Sequence, residues 1–104
     1  MKVLKFIVNE QSLVRDPTCD FSGIVSGTKG YLEAQFKFNS TWTGFGKVAI
    51  FTNLLEDYPA ILKGDRCLIP ADALTGSEFS ISVVGSSNGK RLTTNSVSVE
   101  QERR

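Results

Sequence analysis

Apolar and polar residues alternate with a period of two along most of this chain, the spacing of a strand with one face on a core and one in water. Residues 31–38 read YLEAQFKF, which sets Leu32, Ala34, Phe36 and Phe38 on one face and Glu33, Gln35 and Lys37 on the other. Residues 79–84, FSISVV, repeat the pattern, with Phe79, Ile81 and Val83 inward and Ser80 and Ser82 outward. The Asn88-Gly89 pair that follows accommodates the positive φ angles of a tight hairpin, so RLTTNSVSV should return antiparallel to FSISVV. Leu92 and Val97 have opposite parity there, which predicts a bulge or a bend near Thr94-Asn95.

The remaining segments are shorter. KVLKFIV near the start is strand-like with a mixed face and is broken by RDPT around Pro17. KVAIF, residues 47–51, is apolar on both faces, as in a central strand covered on each side. After an expected acidic turn at Glu56 and Asp57, YPAILK forms a strand whose Pro59 confines it to a sheet edge or to a strand's first position. GDR makes a turn and RCLI a short strand. PADALTG, with Pro70 at its start and Gly76 at its exit, predicts one short helical turn near residues 70–75. The fold class that follows is all-β: an immunoglobulin-like antiparallel β-sandwich of roughly six to eight strands. Residues 1–99 are read as a single domain, and residues 100–104, EQERR, as a polar tail that frays.

Composition narrows the function classes. A chain of 104 residues buries roughly 60 to 70% of the surface its unfolded form exposes, enough for a core without staples. Twelve basic against eleven acidic residues, net +1, supply no field to draw in nucleic acid or an anionic membrane. No apolar stretch approaches the length of a membrane span, and MKVLKFIVNE lacks the pattern of a secretory signal, so a soluble protein with reduced Cys19 and Cys67 is expected. The chain has no histidine, which removes the usual base for activating serine or cysteine and the commonest zinc ligand. A non-enzymatic protein without cofactor or metal is the expectation.

Candidate sites are few. The segment NSTWTGFGKVAIF, residues 39–51, carries the only tryptophan beside two glycines. It reads chiefly as a corner locking two strands together, with Trp42, Phe45 and Tyr58 as the possible interface or ligand contacts. Those three side chains also define the alternative function, a carbohydrate- or cell-wall-binding module that stacks sugars on exposed aromatics. Glu56-Asp57, Asp65 and Asp72 lack the spacing of an acid–base pair or a calcium loop, and SGTKG and GSSNGK lack that of a phosphate loop. Cys67 reads as a small buried hydrophobe. The serine- and threonine-rich outward faces of the last strands suit self-association, making a homo-oligomer the expected state.

The order of these pieces resembles a small domain of structural proteins from phages that infect Gram-positive bacteria. Its motifs run W-x-G (Trp42, Gly44), K-x-A-x-F (Lys47, Ala49, Phe51), C-x-[IV]-P-x-x-x-L (Cys67, Ile69, Pro70, Leu74), F-x-[IV]-S-V-x-G (Phe79, Ile81, Ser82, Val83, Gly85) and R-x-T-T-N (Arg91, Thr93, Thr94, Asn95), spanning residues 30–99. The resemblance implies a virion component: a capsid decoration protein, the base domain of a head fibre, or a baseplate or tail attachment module. It implies phage capsid or tail proteins as partners, with a host-surface glycan as a further candidate, and supplies no catalytic residue. In such proteins the domain generally precedes a longer fibre, whereas this chain ends soon after it, which leaves open a stand-alone decoration protein, a fragment or an adaptor.

Overall fold

The computed structural model describes residues 1–102, which form nine strands in two sheets and two single 3₁₀ turns. The strands are β1 (Lys2–Asn9), β2 (Ser12–Arg15), β3 (Leu32–Phe38), β4 (Gly46–Asn53), β5 (Glu56–Ile61), β6 (Arg66–Leu68), β7 (Glu78–Ser87), β8 (Lys90–Thr93) and β9 (Val97–Glu100). The first sheet has the order β2-β1-β3-β6; in the second, β5-β4-β7 is followed by β8 and β9, which pair with successive halves of β7. One core lies between the layers, filled by Leu4, Phe6 and Val8 from β1, Leu32, Ala34 and Phe36 from β3, Ala49 and Phe51 from β4, and Phe79, Ile81 and Val83 from β7. Each triplet or pair is spaced by two residues, so the alternation in the sequence is the alternation of the pleat.

The all-β, sandwich-like class holds, but the sheets are not antiparallel throughout. β1 pairs with β3 in parallel, Leu4 beside Ala34 and Phe6 beside Phe36, and the first sheet is mixed. A parallel pair needs a crossover, and residues 16–31 supply one without a helix. Its fastenings are side-chain turns, in which Asp16 accepts from the Thr18 amide and hydroxyl and Asp20 from those of Ser22. These hydrogen bonds hold both carboxyls below the ordinary aspartate range. Buried Ile24 anchors the crossover, and Phe21 meets Phe6 edge-on at 5.4 Å. The open side of the sandwich is closed by Arg15, which lies over the Phe21 ring and donates to the Ser98 carbonyl.

Several local expectations hold. Pro59 sits in β5, an edge strand, and β4 is central in its sheet, although its outer face, with half-buried Val48 and Ile50, is not covered as the apolar run suggested. The 3₁₀ turn Ala71–Ala73 lies between Pro70 and Gly76, and Asn88-Gly89 forms a two-residue hairpin with both φ angles positive. β8 ends before Thr94-Asn95 and β9 begins after it, the bend that the parity change requires. Asn95 there clamps the other layer: its Oδ1 accepts from Leu13 N–H at 2.7 Å and its Nδ2 donates to the Leu13 carbonyl.

Three further expectations are corrected. The strands number nine rather than six to eight, because Ser12–Arg15 folds back on β1 as a short strand of its own. The turn after β4 is not at Glu56-Asp57, which belong to β5; it is Leu54-Leu55, because Asn53 pairs with Glu56 and the Thr52 hydroxyl donates to Asp57 Oδ1 at 2.7 Å. The polar C-terminus is also tied down as far as residue 102. Glu100 ends β9, the Gln101 amide donates to Ser77 at 2.7 Å, and the Glu102 amide donates to Ile24 at 2.7 Å. Backbone pairing needs no apolar side chain, so composition alone misjudged it. Residues 103 and 104 of the expected tail lie outside the described residues.

Candidate functional site

Trp42 occupies a corner, as the spacing of Gly44 and Gly46 suggests, and it is 0% exposed. The 3₁₀ turn Ser40–Trp42 carries it over the end of the core, where its Nε1 donates to the Glu10 carbonyl at 2.7 Å. Its ring packs on Phe38 at 5.1 Å and Phe45 at 6.0 Å between centroids, and it lies flush on Gly85. A Cβ at position 85 would stand 2.6 Å from Trp42 Cζ3, so glycine is required there.

The three aromatics read from sequence do not form one platform. Trp42 is buried, and half-buried Phe45 packs against it. Tyr58 faces the core from the edge strand, beside Phe51. Phe45 precedes β4 and Phe51 lies six residues on, which separates Phe45 from Tyr58 by about 20 Å along the strand. The exposed aromatic surface that sugar stacking requires is therefore not assembled from these side chains.

The polar candidates resolve similarly. Asp65 Oδ1 accepts from Lys47 Nζ at 3.1 Å, and Asp57 is engaged by Thr52. Among the described residues no group of three acidic, cysteine or histidine side chains is placed to hold a metal ion. Cys67 points inward beside Ala34, and burial, with the Glu33 carboxylate second, pushes its thiol up to about 12. Such a thiol is protonated and unreactive at neutral pH. Cys19 is also free and accepts from the Lys5 amide.

The feature that departs most from local rules is the β4–β5 turn. Leu54 and Leu55 have φ angles of 51° and 68° and are 85% and 100% exposed. Two other two-residue turns adopt the same positive angles with Gly64-Asp65 and Asn88-Gly89, residues that tolerate them. An L-residue with a bulky side chain is disfavoured there by about 1–2 kcal/mol, and exposed leucine adds no compensating contact. Strain of this kind is held by the surrounding structure and clusters at binding and active sites.

Asn53 braces the turn: its buried amide donates to the Ala73 and Thr75 carbonyls at 2.7 and 2.8 Å, tying it to the loop before β7. Beside Leu54 an open depression of about 450 Å³ has a floor of Thr52, Ser80 and Ser98 and a wall of Gly76, Ser77 and Glu78. The arrangement is a projecting apolar knob next to a hydroxyl-lined recess, suited to seating a complementary surface. Sequence reasoning passed over it because TNLLED carries no glycine, proline or Asn-Gly signal.

The chain matches no family model, no curated protein and no solved structure.

Proposed function

We propose that this chain is a non-enzymatic structural protein of a phage virion, a capsid decoration protein or head-fibre base domain that works through contacts with capsid or tail proteins. The ordered motifs from Trp42 to Asn95 support the virion setting by resemblance. The same reading takes the two-layer frame as a variant of the immunoglobulin-like sandwich, with the parallel β1–β3 pair as its departure. The observation that carries the mode of action is the Leu54-Leu55 turn, where two leucines are held out in water at positive φ. Full burial of a leucine side chain returns about 1.5–3 kcal/mol, enough to offset a backbone strain of about 1–2 kcal/mol. A protein displayed in many copies needs only modest affinity at each contact.

Mass spectrometry of purified particles tests the setting, with the chain expected at a stoichiometry fixed relative to the major capsid protein. Its absence from intact particles overturns the virion assignment. The mode of action is tested by adding purified chain to particles that lack it. Wild type should bind, and a chain with Leu54→Asn and Leu55→Gly should bind at least tenfold more weakly, whereas equal binding removes the turn from the contact.

A further inference from the structure

β4 is apolar on both faces, yet only its inner face is covered. On the outer face of the five-stranded sheet, half-buried Val48 lies between exposed Ile61 on β5 and Val84 on β7, and the next row holds Pro59, Ile50 and Ser82. Ile61 is 72% exposed. The corresponding face of the other sheet differs: Lys5, Gln35 and Arg66 cross it in one row, and Lys37 lies beside Ile7 in another. A solvated face is marked by such charges, and among the described residues the β4 face has none in its middle rows.

Among the described residues, charge returns only at the ends of that face, and with opposite sign. Toward the Leu54 end stand Asp57, outward beside Thr52, and the cross-strand pair Glu78 and Glu100. Like charges directly opposite are destabilising, and no cation among the described residues pairs with them. Toward the other end stand Arg91, outward opposite Ser86, and Lys63, which follows Leu62 past the end of β5. The ends are about 27 Å apart, eight residues of β7.

We propose that this face binds a second copy of the chain about a twofold axis lying across the strands, so that the strands of the two copies run antiparallel. That axis keeps each strand over its own counterpart and reverses the direction along it. Arg91 on β8 then meets Glu100 on β9 of the other copy, Lys63 meets the Asp57 end of β5, and Ile50 packs near its own mate at the centre. The alternative face-to-face twofold, along the strands, stacks acidic end on acidic end and is disfavoured. Four strand columns and about 27 Å of length give roughly 500 Å² per copy, near 1,000 Å² in total. An interface of that size forms a weak, concentration-dependent dimer. The Leu54-Leu55 turns of the two copies stay free at opposite ends. The inference does not rest on a virion location, and a monomeric result would leave that assignment standing.

Sedimentation velocity from micromolar to millimolar protein is the test. Wild type should pass from monomer to dimer, with the midpoint moving to higher concentration as salt is raised. Ile61→Asp, at an exposed side chain, should remove the dimer while leaving the circular dichroism spectrum and melting transition intact. Arg91→Glu should weaken it about tenfold, and adding Glu100→Arg to Arg91→Glu should restore most of the loss. A monomer throughout the range, or a dimer indifferent to Ile61→Asp, overturns the interface. A dimer sensitive to Ile61→Asp but not to Arg91→Glu overturns the antiparallel arrangement.

Discussion

Leucine at a left-handed turn position is unfavourable in two ways, since its backbone is strained and its side chain is in water. Replacing Leu54-Leu55 by Asn-Gly, the pair that β7 and β8 already use, should raise stability by about 1–2 kcal/mol while weakening docking. Urea denaturation measures the first effect, and a variant no more stable than wild type would show that the turn stores no strain. Cys67 makes a second prediction at this scale. Its thiol sits near 12 in the folded protein against an ordinary 9.0, so between those values the unfolded chain releases a proton that the folded chain keeps. Its contribution to stability is therefore present below about pH 9 and falls as pH rises above it. Thermal melts from pH 8 to pH 11 should decline less steeply in Cys67→Ala than in wild type, and equal slopes would remove the effect. The inward position of Cys67 was legible from its neighbours; the exposure of Leu54 and Leu55 was not, because hydrophobicity argues for burial until the register of β4 and β5 is known.

Among the elements, β7 organises the larger sheet, and Gly85 shows how one residue in it serves a distant corner. Gly85→Ala should destabilise the protein by about 1–3 kcal/mol, because the new methyl must displace the Trp42 ring. A chemical denaturation curve checks this, and Trp42 fluorescence should report a changed ring environment. The last strands were legible in some detail: the Asn88-Gly89 hairpin follows from turn chemistry, and the break at Thr94-Asn95 from the parity of Leu92 and Val97. The break is held as well as allowed, since the Thr94 hydroxyl accepts from the Val83 amide at 2.9 Å and Asn95 clamps Leu13. The parallel pairing of β1 with β3 was not legible. Alternation states which residues face the core and is silent on the direction of a neighbouring strand.

For the whole molecule, a radius of gyration of 13.2 Å matches the roughly 13 Å expected of a compact chain this long. The C-terminal residues take part in it, because Gln101 and Glu102 make backbone bonds to Ser77, just before β7, and to Ile24 in the 16–31 crossover. The Ser26 amide returns the contact to the Glu102 carbonyl at 2.9 Å, and Gln101 Nε2 donates to Thr75 at 3.0 Å. A chain ending at Val99 loses all four bonds and should be about 2–4 kcal/mol less stable. An unchanged melting midpoint would return these residues to the status of a frayed tail. The outward surface has its own logic at this scale: among the described residues, charges lie across the middle of one sheet and only at the ends of the other.

The sequence by itself determined the all-β class, the inward sets of β3 and β7, the restriction of Pro59 to an edge or an entry position and the turns at Gly64, Pro70 and Asn88. All of these follow from local rules: the two-residue pleat, the missing proline amide and the steric freedom of glycine and asparagine. Only the tertiary structure decided that Trp42 is sealed against Gly85, that β1 runs beside β3 in parallel, that Leu54 and Leu55 form a projecting turn and that the outer face of β4 lies open. Each of these depends on which distant segment is a neighbour, and pairing partners are selected by the packing of the whole core.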